Sequence, residues 1–335
     1  MSAVNTTTAP TAKMNTVQAI NLAIDDAMAA DANVFVIGED VADAEAGGVC
    51  GVTKGLSTRY GTERVRSTPI SEQAIVGAGI GAAIVGMKPI VEIMLMNFTA
   101  VTMDMIVNHA AKLRFMSGGQ THVPLVIRTM TGAGMGSGGQ HSDYLEAWFA
   151  HVAGLKVVAP STPADAYGLM LSCIDDPDPC LYIEHLGSYW TPGAAPERGR
   201  RIPLGEASVA VEGTDVTVVS YSGMVRRCIE AATSLRKDGV SVEVIDLRTI
   251  SPWDVETVLA SVAKTRRAVV VHEAVRNFGV GAEIAATIHQ RLFGSLLGPV
   301  ERLGAPYCPV PFSKPLETAF VPDAARIAKA IRALL

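Results

Sequence analysis

The sequence predicts an α/β protein of two domains, each a mostly parallel sheet covered by helices. Three observations carry this. The chain has 335 residues, 49% hydrophobic and 18% charged, enough for two sizeable cores. From Val216 onward, short apolar runs alternate with helical segments at the spacing of a parallel sheet with helical crossovers. Between the halves, Gly187–Arg201 has no periodicity and holds Pro192, Pro196, three glycines and three arginines. It reads as the domain linker.

In the first half, Asn15–Ala30 carries apolar residues at helical spacing. Val34–Ile37 follows as a buried strand and ends in Gly38-Glu39-Asp40. The end of a strand is where α/β proteins place function. Asp43–Lys54 is a glycine-containing loop. Arg64–Ser67 reads as a strand stopped by Pro69. Ser71 is a good N-cap, with Glu72 in the first turn of a helix over Ala74–Gly86. Pro89 restarts the chain into the strand Ile90–Leu95. Ala100–Met116 reads as one helix closed by Ser117-Gly118-Gly119. Pro124–Met130, Leu155–Ala159 and Leu181–Glu184 read as strands, with Ala164–Cys173 helical. In the second half, the strands are Val216–Tyr221, Val240–Asp246 and Ala268–His272. The helices are Met224–Lys237, Pro252–Lys264 opened by Ser251, Gly281–Phe293 and Asp323–Leu335.

Composition excludes several classes. A net charge of −5 gives no electrostatic case for nucleic acid or an anionic membrane. Ala74–Met87 is uncharged but too short to span a bilayer. Cysteines 50, 173, 180, 228 and 308 are odd in number and form no CxxC pair. They suit reduced thiols in the cytoplasm rather than a disulfide frame or a zinc site. Residues 1–13 are Thr- and Ala-rich without an apolar stretch. They read as a tail rather than a signal peptide, and Met14 is an alternative start.

Glu72 sits at a strand-to-helix corner, where the helix dipole favours its ionised form. A plain dipole partner and a ligand-facing carboxylate both fit that position. Gly77, Gly79 and Gly81 spell GxGxG without the leading strand a dinucleotide loop needs. Three glycines in a helix need a packing reason, and close approach of a second helix would supply one.

Residues 131–143, TGAGMGSGGQHSD, place five glycines in the eight positions Gly132–Gly139. Such a loop suits close backbone approach to a ligand. His141 at its end can titrate near neutrality, which makes it a candidate acid/base group or, equally, a surface residue. Gly134, Gly136 and Gly139 match GxGxxG, but Ala159-Pro160-Ser161 stands where the ribose-binding acid belongs. A nicotinamide-dependent dehydrogenase therefore has little foothold. Asp175, Asp176 and Asp178 fit a turn, or a cluster of carbonyls around a hard cation.

Several ordered stretches then carry a resemblance: VFVIGEDV (34–41), GVTKGL (51–56), STPISE (67–72), PLVIRTMTGAG (124–134), GGQHSD (138–143), GLKVVAPSTP (154–163), VEVIDLRTISP (242–252) and FGVGAEI (278–284). The sequence resembles the beta subunit of the thiamine-diphosphate-dependent dehydrogenase of 2-oxo acid and acetoin dehydrogenase complexes. The acetoin and pyruvate types are the most similar. The resemblance runs from about Met14 to the C-terminus. It implies a transketolase-like pyrimidine-binding domain over 14–190, a linker over 191–204 and a transketolase C-terminal-type domain over 205–335.

The resemblance also implies roles. Glu72 would hydrogen-bond the aminopyrimidine of thiamine diphosphate, Phe98 would pack on that ring, and Ile70 would lie beside it. His141 would face the substrate and the incoming lipoyl group. Glu39 would stand near the passage between paired active sites. Leu125, Cys173, Ile174, Asp176 and Asp178 would form a K⁺ loop, mostly through backbone carbonyls. Asp178 stands where the family often has Asn, and Pro177 is unusual there.

The GDG that marks the Mg²⁺–diphosphate half of such a site is absent from the chain. The resemblance therefore implies half a site, completed by an alpha subunit in an α₂β₂ heterotetramer. The assembly would cleave acetoin or decarboxylate pyruvate and pass the acyl group to the lipoyl group of a dihydrolipoyl acyltransferase. A branched-chain 2-oxo acid dehydrogenase subunit and a non-catalytic docking scaffold are the alternatives.

Overall fold

The computed structural model describes residues 12–335. Of the tail read over 1–13, residues 1–11 lie outside the described residues, and Lys13 pairs with Ala194 in a two-residue antiparallel ladder. Two larger sheets organise the chain. The first has seven strands in the spatial order Thr249–Ser251, Lys156–Val158, Cys180–His185, Val126–Thr131, Lys88–Leu95, Val34–Glu39 and Val65–Thr68. The second has five, ordered Glu301–Ala305, Ala268–Val275, Val216–Ser220, Val242–Asp246 and Ser208–Val211. Each sheet is parallel except for one antiparallel edge strand, Thr249–Ser251 or Ser208–Val211. The central strands are apolar almost throughout because helices cover both faces. Val126–Thr131, for example, is buried at all six positions.

Helix starts follow local chemistry. Asn15 and Gln18 form a reciprocal capping box at the head of Thr16–Ala30. Thr162 caps Pro163–Asp175, which packs against that helix, and Tyr167 Oη donates to Asp26 at 2.7 Å between them.

Three expectations are corrected. Ala100–Met116 is not one helix: a 3₁₀ turn at Met96–Ala100 leads to a π-helical stretch, Met105–Ala110, and a short α-turn, Leu113–Met116. The Thr99 hydroxyl bonds the Met96 carbonyl, and Ala111 N–H reaches back to Ile106 O at 3.1 Å, one residue beyond the α-helical partner. Ser251 does not open the next helix. It ends the strand that joins the first sheet, and Asp254 caps Val255–Thr265 by accepting from Thr257 N–H at 3.0 Å. The glycines of Glu72–Ile84 do not all serve a second helix: Gly77 faces Met105 of the π-helical stretch, but the other two do not. A Cβ at Gly79 would lie 2.6 Å from Val91 Cγ2 of the helix's own sheet, while Gly81 faces open space.

The strand Thr249–Ser251 ties the second half of the chain into the sheet of the first half. The apolar core is correspondingly continuous, joining Leu125, Val157 and Ile183 to Val219, Ile245 and Val270. Among the described residues no helix is long and apolar enough to cross a membrane.

The first sheet also buries an ionic group. Arg128 lies between Glu92 and Glu184 on the adjacent strands and donates to both, with Nε to Glu184 Oε1 at 2.6 Å and Nη2 to Glu184 Oε2 at 2.9 Å. The Tyr189 hydroxyl donates to the same Glu184. Removing one member of such a set leaves buried charge uncompensated. Arg128→Leu is expected to cost about 3–5 kcal/mol of folding stability, read from the shift in chemical denaturation midpoint at constant m-value.

Candidate functional site

The C-terminal ends of four adjacent parallel strands share one edge of the first sheet. Val34–Glu39 and Val65–Thr68 pair so that Glu39 lies opposite Thr68. Pro69 ends the ladder, and Glu72 begins the helix Glu72–Ile84. Ser71 holds the N-cap position, but its hydroxyl bonds no helix amide, contrary to the capping expected of it. Glu72 is half-buried, and its carboxylate has no hydrogen-bond partner among the described residues. Burial raises the pKa of the nearby Glu39 carboxyl, and the charges of Asp40 and Glu72 raise it further. Beside them Ile70 stands 74% exposed.

The next two strands deliver Phe98 and His141 to the same edge. Lys88–Leu95 runs into the turn that carries Phe98, and Val126–Thr131 runs into the glycine loop. Phe98 meets His141 edge-on, with ring centroids 5.5 Å apart and planes at 75°. His141 is exposed, in a single helical turn, Gly139–Ser142. Asn97 links turn and loop: its Nδ2 donates to Gly139 O at 2.9 Å and to Asp143 Oδ2 at 3.0 Å.

The glycine loop is clamped from the second half of the chain. Ala133 N–H donates to Glu273 Oε1 at 2.7 Å. Gly134 and Gly136 N–H groups donate to Glu317 Oε1 at 2.6 and 3.0 Å. Gly138 has φ +71°, and a Cβ there would lie 2.3 Å from the Phe312 ring. The GxGxxG match is thereby explained away: two of the amides that would cradle a phosphate already hold a glutamate of the same chain.

Comparison with known proteins gives the family of the chain. Residues 12–190 match the family model for the transketolase pyrimidine binding domain, and residues 205–327 that for the transketolase C-terminal domain. Over 328 residues the chain is 47% identical to the acetoin:2,6-dichlorophenolindophenol oxidoreductase subunit beta of Cupriavidus necator, spanning 96% of this chain and 97% of that one. It is 44% identical over 322 residues to the mitochondrial pyruvate dehydrogenase E1 component subunit beta-1 of Arabidopsis thaliana, spanning 95% and 88%. The chain belongs to the beta-subunit family of thiamine-diphosphate-dependent acetoin and pyruvate dehydrogenases. A solved structure described as a split gene transketolase, inactive beta4 tetramer, superposes with a TM-score of 0.76 at 19% identity, covering 96% of this chain and 98% of that one. That likeness bears on the fold alone.

In this beta subunit the residues around Asp176 and Asp178 do come together, but their carboxylates are already paired. Lys156 Nζ reaches Asp176 Oδ1 at 2.6 Å and Asp178 Oδ2 at 3.4 Å, and Arg114 Nη1 donates to both Asp178 oxygens at 2.8 and 2.7 Å. The Leu125 carbonyl accepts from Cys180 N–H at 2.9 Å, and that of Cys173 from Asp176 N–H at 3.4 Å. Among the described residues no cluster of three or more His, Cys, Asp or Glu side chains is arranged to hold a metal.

Behind the glycine loop the beta subunit buries a polar cluster that the sequence reading does not identify. Tyr221 Oη donates to Glu146 Oε1 at 2.6 Å, and the Tyr221 ring stacks on His272 at 6.3 Å. Burial pushes Glu146 up to about 7 and His272 down to about 4, so each resists its charged form. For Glu146 the folded state keeps a proton that the unfolded chain releases near 4.5. Its contribution to stability is therefore full below 4.5 and is lost as pH rises through about 7. Glu146→Gln retains an acceptor for Tyr221 and removes the titration. The variant's stability relative to wild type is expected to rise between pH 4.5 and 7, by on the order of 2 kcal/mol, as measured by denaturation at several pH values.

Proposed function

We propose that the chain forms half of a thiamine-diphosphate site and works with an alpha subunit in an α₂β₂ assembly. The assembly cleaves acetoin or decarboxylates pyruvate and passes the acyl group to the lipoyl group of a dihydrolipoyl acyltransferase. The observation that carries this reading is the unpartnered Glu72 carboxylate, open at the same sheet edge as exposed Ile70 and His141 and partly buried Phe98. The names of the relatives, acetoin oxidoreductase and pyruvate dehydrogenase subunits beta, agree with it.

The residues fit the pyrimidine half of the cofactor. Glu72 supplies a carboxyl group for a pyrimidine ring nitrogen, while Phe98 and Ile70 supply apolar surface for the ring face. Thiamine diphosphate, when bound, supplies the acidic carbon and electron sink that breaking the carbon–carbon bond requires. Glu72 holds a proton at the ring nitrogen and so favours the imino tautomer. Glu39, with its raised pKa, stands close enough to exchange charge influence with Glu72. His141 acts as acid/base toward substrate and lipoyl group. Mg²⁺ and the diphosphate belong to the alpha subunit. Any K⁺ at Leu125, Cys173, Ile174, Asp176 and Asp178 rests on backbone carbonyls, aided by the negative end of the helix Pro163–Asp175. After Glu72 the helix Glu72–Ile84 carries no charge and leaves Ala74, Ala78 and Gly81 exposed, with Val85 exposed at its C-terminal cap, a face suited to a subunit contact. Five free cysteines suit a reducing compartment, and we place the assembly in the cytoplasm.

Two experiments test this. Titration calorimetry should find weak binding of thiamine diphosphate and Mg²⁺ by the chain alone, and tight binding once the alpha subunit is added; tight Mg²⁺-dependent binding by the isolated chain would overturn the half-site. In the reconstituted assembly, Glu72→Gln should retain folding and cofactor binding but lose roughly 10²-fold or more in activity. Deuterium exchange at the cofactor's reactive carbon should slow in step. If Glu72 only complements the helix dipole, its loss costs about 0.3–1 kcal/mol of stability and leaves that exchange unchanged.

A further inference from the structure

His141 is carried by a loop that has little means of fixing its own shape. Glycine contributes no side chain to pack and loses the most backbone freedom on ordering. Five glycines precede His141 within the ten residues Gly132–His141. The loop's order therefore comes from what surrounds it.

The short helix Lys314–Phe320 supplies that order. Ser313 precedes the helix, and Pro315 in its first turn suits the fixed proline φ. Lys314 and Glu317 lie one turn apart and grip the same loop residue from both sides. Lys314 Nζ donates to Gly134 O at 2.7 Å, while Glu317 Oε1 accepts from Gly134 N–H at 2.6 Å. The same oxygen accepts from Gly136 N–H at 3.0 Å, and Oε2 lies 3.2 Å from it. Glu317 is only 1% exposed, so these are charge-assisted bonds shielded from water. One residue upstream, Glu273 accepts from Ala133 N–H and also meets His185 Nε2 at 2.7 Å. Downstream, Phe312 and Pro309 press on Gly138 and Gly139. Beyond these contacts the chain turns into the single helical turn that presents His141 to Phe98.

We propose that Glu317 is a positioning residue for His141: its buried carboxylate fixes the glycine loop in the one shape that holds the imidazole against Phe98. Glu273 is the second anchor. The proposal rests on the reading of His141 as the acid/base group of acyl transfer. A carboxylate suits the task because it only accepts, so one oxygen can serve two convergent N–H donors. A glutamine keeps one such oxygen and loses the charge and with it the ion pair to Lys314 Nζ, 3.7 Å from Glu317 Oε2. An alanine leaves both amides without a partner.

The test uses the full chain reconstituted with its alpha subunit. Glu317→Ala, Glu317→Gln, His141→Ala and the Glu317→Ala/His141→Ala double variant are compared. Hydrogen exchange of the peptide spanning 131–143 is followed by mass spectrometry alongside the rate of lipoyl acylation. Glu317→Ala should speed exchange at Ala133, Gly134 and Gly136 by about 10-fold or more and slow acylation by a similar factor. Glu317→Gln should recover most of both. The double variant should be no slower than His141→Ala, because residues acting through one another are not additive.

If His141→Ala acylates at the wild-type rate, the acid/base reading of His141 falls, and the positioning role with it. If His141→Ala is slow while Glu317→Ala matches wild type, only the positioning role falls. Additive losses in the double variant would also overturn it. So would exchange that accelerates throughout the second half of the chain rather than in the loop, the mark of a merely structural residue. Should Glu317→Ala fail to assemble, Glu317→Gln carries the same comparison, with a smaller expected loss.

Discussion

A buried carboxylate accepting two backbone N–H groups of a glycine loop is the contact on which the arrangement of this site depends. Glu317 stands 183 residues from Gly134 in sequence and 2.6 Å from it in space. Nearly everything else at the site edge follows from ordinary α/β geometry: strands end, helices begin, and the turns between them carry side chains. The loop 131–143 is the exception, because its composition fixes no shape. The second half of the chain is thus a wall of the site rather than an appendage. Its strand Thr249–Ser251 completes the first sheet, and its apolar residues share one core with the first half. Both features hold Glu273 and Glu317 at fixed distance from the loop they bind.

Much of this was legible in the sequence, and the reasons differ by element. Parallel strands buried on both faces show as apolar runs, so Val34, Ile90, Val216 and Ala268 were found within a few residues of the true starts. The alternation of strand and helix announced the sheets. Glu72 was visible at a strand-to-helix corner, but only the family resemblance joined it to Phe98 and His141. Three kinds of feature were not legible. The break in Ala100–Met116 arises from a hydroxyl bonding its own backbone and an extra residue in one turn, which apolar periodicity does not register. Ser251 has the chemistry of an N-cap but is drafted into a neighbouring sheet, a tertiary choice that overrides a local one. Glu273, Glu317 and Asn97 are isolated polar residues whose partners lie far along the chain, without a local motif to mark them. The pairing of Asp176 and Asp178 with Lys156 and Arg114 likewise has no local motif to mark it.

The buried charges are of two kinds. Arg128, Glu92 and Glu184 form a closed set in which each charge has a partner, and its position across three adjacent strands fixes their register. Such a set costs desolvation, and apolar replacements of similar volume can match its stability. What it excludes is slippage, since shifting any one strand would strand a charge in the core. Glu146 and His272 are the opposite case. Each is held near neutrality by burial rather than by a counter-charge. Their pH dependences oppose each other: the Glu146 contribution fades as pH rises, and the His272 contribution fades as pH falls below its ordinary range.

The unfinished appearance of the site edge follows from the same accounting of charge. Inside the chain, buried ionisable groups are paired, or have pKa values shifted toward the neutral form. At the edge, Glu72 lacks a partner, Glu39 is pushed toward its protonated form by burial and by neighbouring acids, and Ile70 presents an apolar side chain to solvent. A surface that combines uncompensated carboxylates with exposed apolar area is unfavourable unless something covers it. The helix that starts at Glu72 points the same way, with small, uncharged residues on its outer face where a solvated helix would carry charge. Rigidity and incompleteness are therefore divided within one chain. The second half fixes the loop that carries His141, and the first half leaves its acidic edge exposed.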